Sequence, residues 1–152
     1  ILVNNAGRNM PSDEPAPGTT RDLLFQTNVV GHFQLTAQLM ESFAPRARIV
    51  NLASVMHHFV TGDVNSMSFW KGCIDHGVEP KSTYAESKLA AVLFTMELNI
   101  RYSDRIQAVA VNPGAVYVDL CMLLLFAFGA VLTKQLVTFT ETLTFGENSL
   151  VF

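Results

Sequence analysis

Three short runs of apolar and β-branched residues, 1–3 (ILV), 48–53 (RIVNLA) and 106–111 (IQAVAV), alternate with two longer stretches of helical periodicity. Strand, helix, strand, helix, strand is the order of an α/β fold with a parallel sheet, because parallel neighbours need a crossover long enough to hold a helix. The first helix is expected to be capped by Thr19 or Thr20 and to bury a stripe of Leu24, Asn28, Gly31, Leu35 and Leu39 before Pro45 stops it. The second is expected to open on a Thr83-x-x-Glu86 capping box and to bury Leu89, Leu93, Met96 and Ile100. Residues 54–81 lose periodicity and carry Gly62, Gly72, Gly77 and Pro80, which reads as a long connection with room for one short helix.

Composition narrows the class. The chain has 152 residues, 49% of them hydrophobic and 15% charged, with a formal net charge of −3. That is the make-up of a globular domain, not of a disordered segment, and it lacks the basic excess of a nucleic-acid binder that relies on phosphate contacts. Cys73 and Cys121 are too few and too far apart for a disulfide framework or a CxxC site, so a reducing, intracellular setting is expected: the cytoplasm or the cytosolic face of a membrane. No HExxH string or Cys/His cluster accompanies His32, His57, His58 and His76, so no metal is expected. Both ends are apolar runs, Ile1-Leu2-Val3 and Leu150-Val151-Phe152. An apolar strand at a terminus needs neighbours, so the whole of 1–152 reads as one partial domain, cut at the N-terminus and at the C-terminus.

Parallel sheets bind ligands beyond the carboxyl ends of their strands. Here that edge comprises Asn4-Asn5-Ala6-Gly7, Ser54 and Asn112-Pro113-Gly114. Tyr84 and Lys88, four apart on the second helix, share a face, which would let an ammonium group favour a phenolate and make the phenol useful in proton transfer. The plain alternative is an unremarkable helical pair. Ser54 is either a turn cap or a hydroxyl donor to the oxygen that Tyr84 protonates. Asn28 interrupts an apolar stripe, so it is either bonded to backbone for structural reasons or organises a water in a proton path. Asn5, Ala6, Gly7, Pro113 and Gly114 are either ordinary turn residues or small residues admitting a ligand close to the backbone.

Taken in order, Asn4-Asn5-Ala6-Gly7, Asn28, Ser54, Tyr84-Ala85-Glu86-Ser87-Lys88 and Asn112-Pro113-Gly114 resemble the short-chain dehydrogenase/reductase family. The resemblance runs from Ile1 to about Asp119, and TYAESKLAAVLFTMEL looks most like its retinol-dehydrogenase-like branch. It implies the C-terminal portion of a Rossmann-type doubly wound sheet in three αβα layers. It also implies an NAD(P)-dependent oxidoreductase interconverting an alcohol with a ketone or aldehyde, with NADP favoured over NAD. By resemblance Tyr84 is the general acid and base, Ser54 polarises the substrate oxygen, and Lys88 tunes Tyr84 and holds the nicotinamide ribose. Asn28 then holds a relay water, Asn5, Ala6 and Gly7 line the adenosine side, and Pro113 and Gly114 pass beside the nicotinamide.

Two departures accompany the likeness. The family's glycine-rich TGxxxGxG turn does not occur in these residues, and Val118 stands where the family often has Thr. Without a phosphate cradle, the chain alone is expected neither to fold stably nor to reduce a substrate. Residues 120–133 (LCMLLLFAFGAVLT) carry no charge but are too few to span a membrane; they are expected to line a lipophilic pocket or rest on a membrane surface. A lipophilic small-molecule substrate and self-association are the expected partnerships, with nucleic acid excluded. An inactive truncated relative, and a sugar-nucleotide epimerase or dehydratase sharing the Tyr and Lys pair, are the competing readings.

Overall fold

The computed structural model describes residues 1–9, 14–78 and 84–114, together with the backbone of 144–145 and 148–149. Its centre is a three-stranded parallel sheet of β1 (Leu2–Asn4), β2 (Ala47–Leu52) and β3 (Ile106–Val111), in the order β1-β2-β3. All three strands were legible as apolar runs, the third to the residue. A helical segment without a break joins β1 to β2: α1 (Leu23–Phe25), a π turn (Gln26–Val30), α2 (Gly31–Leu39) and a 3₁₀ end (Met40–Ser42). Between β2 and β3 come a 3₁₀ turn (Val55–Phe59), α3 (Met67–Ile74) and α4 (Tyr84–Tyr102). The expected long connection thus contains the short helix for which it left room. Beyond it, β4 (Thr144–Phe145) and β5 (Asn148–Ser149) form a small antiparallel pair.

The helix ends and faces depart from the sequence reading in three ways. Asp22, rather than Thr19 or Thr20, caps α1, its carboxylate accepting from the Phe25 amide at 2.8 Å. Thr19 instead closes a turn on the Ala16 carbonyl. Thr83 lies outside the described residues.

The buried stripe of the first helix also advances by four rather than 3.6. Leu24, Asn28 and Thr36 are buried and His32 is half-buried, while Leu35, expected inside, is 43% exposed. The π turn is the cause: its wider loop takes more residues per turn, which underwinds the helix and rotates the face of every later residue.

In α4 the expected stripe faces out, with Leu93, Met96 and Ile100 exposed, while Ala85, Ala91, Val92, Thr95 and Leu98 face the sheet. Apart from Val92 and Leu98 the side chains named on that face are small, which lets the helix approach the strands closely; helical spacing alone does not tell one apolar face from another.

The core has two main parts. Ile49, Leu98, Ile106 and Ala108 pack together beneath α4, with Met40 and Phe43 against them. Phe25, Phe69 and Cys73 join α1 to α3, with Trp70 edge-on to Phe69 at 5.1 Å and its indole donating to the Val64 carbonyl. Burial pushes the Cys73 thiol up to about 12, leaving it protonated and inert.

A buried polar chain ties the covered face of the sheet to both long helices. Asn4 donates from Nδ2 to Thr36 of α2 and to Asn51 of β2, while Asn51 donates to Thr95 of α4. Asn4 and Asn51 are register partners, so this chain places α2 and α4 on one face of the sheet. The third layer that the resemblance implies, on the face carrying Val3 and Val50, falls outside the described residues. Slipping a strand by one residue would bury these amides without partners, so the chain fixes register. Asn51→Ala is therefore expected to destabilise the fold by about 2 kcal/mol in urea unfolding, against under about 0.5 kcal/mol for Arg48→Ala on the exposed position of the same strand.

Candidate active site

Parallel strands bring their carboxyl ends to one edge, and α4 runs back antiparallel so that its first turn reaches the same edge. Asn5, Ala6 and Gly7 follow β1 and are exposed there. Pro113 and Gly114 follow β3, also exposed, in a turn closed by the Asn112 side chain accepting from the Gly114 amide at 3.2 Å. Gly114 has φ +76, a backbone conformation that favours glycine. Ser54 stands two residues beyond β2 in extended conformation and opens the 3₁₀ turn, which packs against α4. Its Oγ accepts from the Met56 amide at 3.3 Å, so its capping role is present.

Lys88 is 6% exposed, and its ammonium donates to the carbonyl of Leu52, the last residue of β2, at 2.7 Å. Nζ lies 5.2 Å from the centroid of the Tyr84 ring, over its face. The helical spacing thus brings the ammonium over the Tyr84 ring. Burial lowers the Lys88 pKa from 10.5 to about 8. A carbonyl that accepts a charge-assisted bond offsets part of the desolvation, and two of the ammonium's three protons remain for other acceptors.

Asn28 is 3% exposed within the π turn, and both ends of its side-chain amide are in use. Oδ1 accepts from the Arg8 amide, while Nδ2 donates to the Arg8 carbonyl and to Ser87 Oγ, all within 2.9 Å. Ser87, wholly buried, donates from its hydroxyl to the Tyr84 carbonyl. The side chain of Asn28 therefore fastens the loop after β1 to the first turn of α4. His32, one turn on, is hydrogen-bonded to the Asn28 backbone. Its Nε2 is buried with no hydrogen-bond partner among the described residues. Burial, opposed by the Asn28 bond and helped by the Lys88 charge, lowers the His32 pKa.

Sequence reasoning missed Ser87 and His32 as parts of this cluster. The signals were available, since Ser87 lies between Tyr84 and Lys88 and His32 comes four residues after Asn28 on one helix. Val118 and the apolar stretch 120–133 lie outside the described residues.

No family model matches the sequence. Individual proteins do. Human retinol dehydrogenase 12 is 38% identical over 125 residues, covering 79% of this chain and 37% of that protein. A short-chain dehydrogenase/reductase of Armillaria gallica is 31% identical over 128 residues, covering 79% of this chain and 40% of its own. The chain belongs to the short-chain dehydrogenase/reductase family.

Among solved structures, a blue fluorescent protein from a metagenomic library in complex with NADPH superimposes with a TM-score of 0.53 at 26% identity, covering 90% of this chain and 48% of that one. The chain spans 37–40% of the length of the curated relatives just named. Among the described residues no helix is long and apolar enough to cross a membrane.

Proposed function

We propose that the chain carries the catalytic half of an NAD(P)-dependent oxidoreductase that interconverts a lipophilic alcohol with its ketone or aldehyde. The observation that carries this reading is the buried Lys88 ammonium set over the Tyr84 ring at the carboxyl edge of a parallel sheet. Tyr84 gives a proton to the carbonyl oxygen in reduction and takes it back in oxidation, Ser54 donates to the same oxygen, and Lys88 favours the phenolate that remains. Asn28 and Ser87 hold the first turn of α4 against the loop after β1, which keeps Tyr84 aimed.

The exposed small residues of the same edge fit a nicotinamide cofactor: Asn5, Ala6 and Gly7 on one side, Pro113 and Gly114 on the other, with the free ammonium protons of Lys88 for ribose hydroxyls. That cofactor supplies or accepts the hydride. NADP is favoured, in keeping with the NADPH complex of the metagenomic relative. Residues 120–133 are assigned to covering the substrate or touching a membrane surface. The exposed stripe of Leu93, Met96 and Ile100 on α4 supports self-association.

The experiment is a substrate screen on the complete protein containing these residues, with all-trans-retinal, a steroid ketone and a long-chain aldehyde, each with NADPH and NADH, monitored by nicotinamide absorbance. Turnover of at least one carbonyl compound is expected. No turnover of any, by protein shown to bind the nucleotide, would refute the assignment.

A further inference from the structure

The 3₁₀ turn after β2 holds a buried imidazole that the proposed chemistry does not use. His57 is 9% exposed, its ring tilted 37° against that of His58 with centroids 3.9 Å apart. Its Nδ1 lies 2.6 Å from the carbonyl oxygen of Ser54, and its own amide donates to the same oxygen at 3.1 Å. A carbonyl only accepts, so Nδ1 carries the proton, and the hydrogen bond selects the form of the ring. Ser54 is thereby clamped twice. Its hydroxyl is held by the Met56 amide on one side and its carbonyl by His57 on the other.

The backbone bond alone suffices to close a 3₁₀ turn, whereas the second, side-chain bond fixes the peptide plane between Ser54 and Val55. That plane, together with the extended backbone of Ser54 (φ −164, ψ 152), sets where its Cα–Cβ bond points. A hydroxyl that must meet a substrate oxygen gains from such a constraint, since displacement by about 1 Å in a catalytic group costs about 10²-fold in rate. The turn that holds both residues packs on α4, the helix that begins with Tyr84.

We infer that His57 is a positioning residue for Ser54, its Nδ1–H bond to the Ser54 carbonyl holding the serine hydroxyl at the substrate oxygen. This rests on the reading of Ser54 as the second donor to that oxygen. It makes His57 a determinant of turnover without contact to substrate or cofactor.

The test compares kcat and KM for His57→Phe, His57→Asn, Ser54→Ala and the double variant Ser54→Ala/His57→Phe in the complete oxidoreductase, with Tyr84→Phe as control. His57→Phe is expected to lower kcat by about 10- to 100-fold with little change in KM. His57→Asn, whose amide nitrogen can take the place of Nδ1, is expected to recover most of the loss. In the Ser54→Ala background, His57→Phe is expected to add nothing, because its effect runs through the missing hydroxyl.

Losses that multiply in the double variant, or an Asn variant no better than Phe, overturn the inference while leaving Tyr84 in place. Full turnover by Tyr84→Phe would instead remove the underlying reading. Independently of activity and of any variant's folding, two-bond proton–nitrogen NMR of the unaltered protein is expected to show His57 protonated on Nδ1. A neutral ring protonated on Nε2 overturns the proposal.

Discussion

Replacing Tyr84 with Phe removes one oxygen atom and is expected to lower kcat of the complete oxidoreductase by about 10³-fold, within the range for loss of a positioned acid or base. KM should change little, because the phenol acts on charge that develops in the transition state and not on the bound ground state. The fold should be indifferent to the change. The ring of Tyr84, over which Lys88 Nζ sits at 5.2 Å, and its backbone carbonyl, which accepts from Ser87 Oγ, both survive in Phe. An unchanged melting temperature beside a collapsed kcat would separate chemistry from folding, whereas retention of more than about a tenth of wild-type kcat would exclude Tyr84 as the proton donor.

The alternation of strands and helices was legible because parallel neighbours require long crossovers, and the crossovers here carry clear periodicity. The buried faces of the helices were not. In the first, the π turn underwinds the helix and exchanges Leu35 for Thr36, and no propensity marks such a turn in QTNVV. In the second, Leu93, Met96 and Ile100 lie outward while mostly small residues face the sheet, so reading hydrophobicity without volume selected the wrong face.

The site shows the same division. Tyr84 and Lys88 were found from spacing because a helix converts a separation of four into contact. Arg8 acts through its backbone amide and carbonyl, brought to Asn28 by the fold, and a tertiary partner of that kind leaves no local pattern, whereas Ser87 and His32 stand at positions whose spacing already pointed to them. Asn28 lay between: its misfit in an apolar stripe flagged a buried amide, but only the fold identified the Arg8 peptide and Ser87 as its partners.

Lys88 is expected to be a residue whose removal strengthens the fold. In the unfolded chain it titrates near 10.5, in the native structure near 8, because burial disfavours the ammonium. Between those values the unfolded chain binds more protons, so stability rises with pH across that window. Below pH 8 the whole penalty is present, on the order of 3 kcal/mol from the shift. It fades as pH approaches 10.5. Lys88→Met keeps most of the packing, removes the charge and leaves the Leu52 carbonyl without its donor, a loss of about 1 kcal/mol. The variant should therefore be more stable than the parent by about 2 kcal/mol at pH 7 and slightly less stable at pH 11, a change of sign that urea unfolding at the two pH values would reveal. Activity should move the other way at neutral pH, since the cation that favours the Tyr84 phenolate and can hold a ribose is gone. In the parent, that cation is half titrated near pH 8, so the aid it gives to the phenolate should decline above that value and be absent from the Met variant throughout. Equal stabilities of parent and variant at pH 7 would show that Lys88 is solvated in the native protein, and with that the electrostatic basis for activating Tyr84 would fail.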